Sequence, residues 1–153
     1  AVLRGRSVSF CSDTMLELPL ARTLRAAGMH VKAVGTPNVY RKFHAQERAR
    51  LDGIEIFERP DRFAMFARLS ADRPDLVVAN LNIANALEGM GFNVKWSTEL
   101  TFQPVHGFNG SPSLFGMFAA SLRRHDALAR TRDRSQTAAT PIDLTFFRET
   151  VRA

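Results

Sequence analysis

The chain has 153 residues, 45% hydrophobic and 24% charged, with 21 Lys plus Arg against 15 Asp plus Glu. That suits one soluble globular domain with its own core, and no apolar run approaches the ~20 residues that cross a bilayer. A single cysteine, Cys11, excludes an internal disulfide and cannot alone hold structural zinc or an iron–sulfur cluster, so it reads as a buried thiol.

"RSVSFC" (6–11) reads as a short strand preceded by no signal-peptide apolar core, which points to the cytoplasm. The first residue is not Met, as in a fragment or a processed product. "TMLELPLARTLRAAGMH" (14–30) places Leu16, Leu20, Leu24 and Ala27 at helical spacing, with Gly28 to end the helix. Its start is open, because Thr14 and Glu17 fit a capping box whereas Pro19 prefers the first turn. "VKAVGT" (31–36) and "GIEIFE" (53–58) are strands, flanking a polar helix at 41–51. "DRFAMFARLSADR" (61–73) is a helix with Phe63, Phe66 and Leu69 on one side. "PDLVVAN" (74–80) has the compact apolar run of a buried parallel strand.

Asn85 and Glu88 then suggest the cap of a short helix ending near Gly89 or Gly91. "NVKWST" reads as a fifth, short strand and "TFQPVHGFNG" as loop. "SPSLFGMFAASLRRHDALA" (111–129) opens with Ser111 as cap and Pro112 at the first helical position. Phe115, Phe118, Ala119 and Leu122 form its apolar stripe. The net charge of +6 collects around "RRHDALARTRDR" (123–134), where Asp126 and Asp133 dilute it. No nucleic-acid motif accompanies it, so it reads as a solvated helix end. The chain divides into a domain over 1–130 and a linker and C-terminal tail over 131–153, the tail docking on this domain or on a partner.

Strands alternating with helices predict an α/β fold: a Rossmann-like, doubly wound, mainly parallel sheet of four to five strands with helices on both faces. Ligands in such sheets bind outside the carboxyl ends of the strands, which makes the loops after the first, second, fourth and fifth strands candidates. There is no G-x-G-x-x-G and no Walker A sequence, so a nucleotide site loses its main support. His30, His44, His106 and His125 are scattered, and only His106 falls in a candidate loop. Asp13 and Glu17 read as helix-capping acids. Glu99 reads as a surface or salt-bridged carboxylate, with general acid–base work as the alternative. Trp96, the single tryptophan, is a packing residue or the wall of a site for something large and flat, while Phe102 and Phe108 fall in ligand-side loops.

"RPDLVVANLNIANALEGMGFNVKWSTELTFQPVHGF" followed by "LFGMFAASLRRHDAL" resembles the carboxyl-terminal domain of the N subunits of light-independent protochlorophyllide reductases, a nitrogenase-like component 1 family. "SDTMLELPLARTLRAAGM" and "VGTPNVYRKF" resemble earlier parts of the same domain. The most specific stretch is K-W-S-x-E-L-x-F, Lys95 to Phe102. The resemblance implies a chain that pairs with a B subunit in an NB heterotetramer and serves reduction of the D-ring double bond of protochlorophyllide. It implies a [4Fe-4S] cluster in the full complex with no ligand from this chain, and an ATP-dependent L subunit as electron donor. It implies Trp96 and Phe102 as pigment-lining residues, with the protonating carboxylate on the B subunit. It further implies about 270 residues and three cluster cysteines upstream, at ordinary domain sizes. The alternative is a subunit-interface domain of another nitrogenase-like reductase with a different substrate. Three departures stand out: Asn80 and Asn82 where the family carries small residues, "FCSD" for an F-P-D-like turn, and Thr98 and Thr101 for apolar residues.

Overall fold

Along β1 (Ser7–Cys11), Val8 and Phe10 face one side of the sheet and Ser9 and Cys11 the other, and all four are buried. β4 (Leu76–Ala79) repeats the pattern: Leu76 and Val78 join Val8 in one apolar cluster, while Val77 and Ala79 join Cys11 in a second. Successive side chains of a strand point to opposite faces, so strands buried on both must lie centrally under two layers of helix. β1 pairs in parallel with β4 and with β2 (His30–Thr36). β3 (Glu55–Glu58) lies outside β2, and β5 (Val94–Trp96) outside β4. The order is β3-β2-β1-β4-β5, the doubly wound α/β sheet that the sequence predicts, with five strands.

The computed structural model describes residues 2–105 and 107–138, with the backbone alone at Arg41, Phe108 and 133–138. On one face lie α1 (Glu17–Ala26) and the first half of α5 (Gly107–Ala138), contributing Leu18, Leu24, Phe118 and Leu122. On the other lie α3 (Arg62–Asp72) and α4 (Leu81–Gly89), contributing Met65, Leu69, Ile83 and Leu87. The polar helix α2 (Arg41–Arg50) has no buried residue among those described and is tied to α1 by the Arg22–Glu47 ion pair at 2.6 Å.

Local chemistry sets the helix ends. Gly28 takes φ +91, and the amides of Gly28 and Met29 reach the carbonyls of Arg25 and Leu24. That is a Schellman closure, which requires the left-handed conformation glycine adopts freely. Asp61 caps α3 by accepting from the Ala64 amide at 2.9 Å. Pro19 is tolerated because it lies in the first turn of α1, where amides lack helical partners.

The structure corrects several expectations. Phe63 is 78% exposed, because the buried face of α3 runs through Met65 and Leu69 instead. α4 starts at Leu81 with Asn80 at its cap, leaving Asn85 mid-helix. A 3₁₀ turn, Ser97–Thr101, follows β5 directly. α5 begins at Gly107, so Pro112 sits inside it. The early start depends on Gly110, where a Cβ would lie 2.7 Å from the Val105 carbonyl oxygen. α5 also continues to Ala138, through residues expected to form a linker. That stretch, "TRDRSQTA", contains no Gly or Pro, so nothing in it breaks a helix. One compact unit reaches to Arg123 and a second begins at Arg124. The expected tail from residue 139 lies outside the described residues.

The amino end of the sheet is pinned by Asp75, just before β4. Its carboxylate accepts from the Ser7 amide and hydroxyl, both at 2.7 Å, and from Arg6 at 2.9 Å. Burial pushes the Asp75 carboxyl up, but these bonds and the Arg6 charge outweigh it and hold the group below the usual carboxylate range. A carboxyl lowered on folding stabilises the native state above its unfolded pKa, and that stability is lost as pH falls through the folded value. Urea unfolding of the parent should therefore weaken on acidification below about pH 4. Asp75→Asn should cost about 1–3 kcal/mol at neutral pH and flatten this acid limb, and an unchanged limb would remove Asp75 as its source. Gly110→Ala should cost about 1–3 kcal/mol in the same assay, because backbone and not a flexible side chain blocks the new methyl.

Candidate functional site

Strand order reverses between β1 and β4, so the carboxyl ends of these two strands flank the switch point. Beside it, the loop after β1 is joined to the end of β2 through Glu17, the first residue of α1, which is 1% exposed. One oxygen, Oε1, accepts from the Ser12 hydroxyl and from the Thr14 amide and hydroxyl at 2.7 and 2.8 Å. The other, Oε2, accepts from the Thr36 hydroxyl at the end of β2, at 3.0 Å. A carboxylate can remain buried without a cation only when donors replace its water, and these donors do. Glu17 does reach back to the Thr14 amide as a capping acid would. Its larger task is to hold the loop after β1 against the loop after β2.

Asp13 extends the same stitching. Its carboxylate accepts from the Asn80 amide group at 3.1 Å, and its carbonyl from that of Asn38 at 2.9 Å. Met15, in the same loop, holds φ 68, an uncommon conformation for a side chain of that size. Three loops thus meet at the switch point and border a cavity of about 290 Å³. The cavity is floored by Cys11, Met65 and Ile83. Burial pushes the Cys11 thiol up to about 11, with Asp13 adding to the rise and Arg62 opposing it. Arg59 and Arg62, from the loop after β3 and the start of α3, also line this cavity. Sequence reasoning passed over that loop, although "ERPDR" sets two guanidinium groups at the carboxyl end of a strand.

Trp96 ends β5, one strand further out, in register with Ala79. Its ring is half-buried against the cluster formed by α3 and α4, and its indole N–H donates to Glu88 on α4 at 2.8 Å. Phe102 follows the 3₁₀ turn and is 83% exposed. The two aromatic groups therefore occupy different environments at one edge of the sheet. Glu99 is ion-paired with Lys95, matching the salt-bridged reading over the acid–base one. His106 lies outside the described residues, as does the side chain of Phe108. Along the carboxyl ends of the other strands, Met15, Tyr40, Phe43, Phe63 and Leu81 are each at least half exposed, all in or just after the loops that follow β1 to β4.

Among the described residues no three His, Cys, Asp or Glu side chains converge as a metal site. The one thiol, buried and held protonated, does not fit an iron–sulfur cluster, which needs several thiolates. No helix among the described residues is long and apolar enough to cross a membrane.

A five-stranded parallel sheet of this order, with helices on both faces and its candidate site at the switch point, places the chain among doubly wound α/β domains. Residues 1–123 match the family model of nitrogenase component 1 type oxidoreductases, and the chain belongs to that family. The light-independent protochlorophyllide reductase subunit N of Roseiflexus sp. (strain RS-1) is 46% identical over 127 residues, 83% of this chain and 31% of the relative. The subunit N of Heliobacterium modesticaldum is 43% identical over 130 residues, 84% of this chain and 29% of its own length. That of Chlorobaculum tepidum is 38% identical over 127 residues, 83% of this chain and 30% of its own length. The chain thus spans about 30% of the length of these relatives. A solved nitrogenase Cp1 structure at pH 6.5 shares the fold, with a TM-score of 0.66 at 17% identity over 93% of this chain and 32% of that one.

If Glu17 holds the loops as described, Glu17→Leu strands several buried donors. It should cost about 2–4 kcal/mol in urea unfolding, with Glu17→Gln costing less. A Leu variant within about 0.5 kcal/mol of the parent would show that the hydroxyls find other partners.

Proposed function

We propose that the chain is the carboxyl-terminal domain of an N subunit of light-independent protochlorophyllide reductase, supplying part of the wall of the pigment cavity. The observation that carries this reading is an exposed aromatic residue at the ligand edge. Phe102, within the K-W-S-x-E-L-x-F stretch, is 83% exposed, so its ring face is available to a flat ligand. Trp96, fixed by Glu88, would present a second aromatic surface nearby in sequence. A flat macrocycle gains ~0.5–1.5 kcal/mol from each such ring beyond its burial. In this reading the domain assembles with a B subunit, an ATP-dependent L subunit supplies electrons, and a [4Fe-4S] cluster is held by parts of the complex outside this chain. The isolated domain is expected to be inactive.

A second reading, in which the edge is a subunit interface, is favoured by the additional exposed apolar residues Tyr40, Phe43 and Phe63. Aromatic residues anchor interfaces often. The two readings differ in what Phe102 does, and Phe102 makes a cleaner test than Trp96 because its side chain barely contributes to the core.

Phe102→Ala, introduced into the assembled full-length enzyme, should leave the thermal unfolding midpoint unchanged. It should weaken protochlorophyllide binding about two- to tenfold, followed by the pigment's Soret band. Trp96→Ala should weaken binding and also lower stability. Unaltered pigment affinity in Phe102→Ala, together with loss of the B subunit on co-purification, would transfer the edge to the interface reading.

A further inference from the structure

We infer that the cavity at the β1/β4 switch point binds a carboxylate group, held by Arg59 and Arg62. Asn80 and Asn82 give this cavity a polar wall, and the rest of its lining shows what it would suit.

Arg59 and Arg62 line the same cavity, and neither has an ion pair among the described residues. Arg59 takes φ 51, a left-handed conformation costly for a residue with a side chain, and its amide is spent on the Thr36 carbonyl at 3.0 Å. That turn delivers a guanidinium to the mouth of the cavity. The guanidinium fork matches a carboxylate better than any other side chain does.

Charge selects the class of anion. Two guanidinium groups against one lining carboxylate, Asp13, suit an anion, and the Glu17 carboxylate bonded to Ser12 just behind the lining weighs against a dianion such as phosphate. At about 290 Å³ the cavity is small, fit for a short carboxylic acid or for one acidic arm of a larger molecule.

Cys11, the single cysteine, lies at the floor and serves as a built-in reporter. The 153-residue chain would be treated with two methanethiosulfonates of matched size, one bearing a sulfonate and one an ammonium group. In each reaction the thiolate forms a disulfide and expels methanesulfinate, so the ratio of the two rates cancels the thiol's own ionisation. We expect the anionic reagent to react about tenfold faster, relative to the same ratio on the urea-unfolded chain. Propionate should slow both reactions saturably at constant ionic strength. An Arg59→Gln, Arg62→Gln double variant should lose both the preference and the protection. Three results would each overturn the inference: no protection by propionate in the parent, equal protection in the folded double variant, or stronger protection by inorganic phosphate than by propionate. If the double variant does not fold, the parent with and without propionate decides alone. Protection of the 153-residue chain by propionate is read without pigment, so its failure is distinguishable from failure of the Phe102 assignment.

Discussion

A carboxylate buried without a cation governs the ligand side of this domain. Glu17 is fully enclosed, and among the described residues its carboxylate is met by hydroxyls and one amide from β2 and the loop after β1. Each of those donors is costly to bury unpaired, so the loops cannot drift apart without exposing several defects at once. Asp13 and Asn80 then carry the constraint across to β4. The crevice at the switch point is consequently a pre-formed feature. Pre-formed polar geometry is what a site needs if binding is not to be spent on ordering loops.

The two ends of the sheet are built on different principles. At the amino end Asp75 faces an arginine and a serine, and its bonds stitch β1 to β4. At the carboxyl end two arginines are left without carboxylate partners while large apolar side chains stand in the open. The exposed apolar side chains beside those arginines mark the carboxyl edge as the working surface.

Much of the fold was legible because period and punctuation agree. Val8, Phe10 and the Leu76–Val78 run declare central strands, and Gly28 closes α1 where its position says it should. The failures have definite causes. Pro112 looks like a first helical residue, and only the approach of the Val105 backbone to Gly110, invisible in one dimension, shows that the helix starts earlier. Spacing puts Phe63, Phe66 and Leu69 on one side of α3, but it cannot say that the buried face is centred on Met65 and Leu69 and leaves Phe63 outside. Glu17 was visible as a capping acid. Its partnership with Thr36, 19 residues away, depends on tertiary structure. Trp96 and Phe102 stood out through a motif, whereas Arg59 and Arg62 needed the cavity to be seen at all.

The sheet's outermost strands carry one further consequence. β3 and β5 have only four and three residues, and β3 begins and ends with Glu55 and Glu58, each paired with an arginine. Short, charged edges give a neighbouring molecule little backbone to extend. Edge-to-edge growth into larger aggregates is thereby suppressed on both flanks, leaving self-association, if it occurs, to the apolar rim above the strand ends. Association through that rim would be a matter of side-chain complementarity, open to competition by whatever normally covers it.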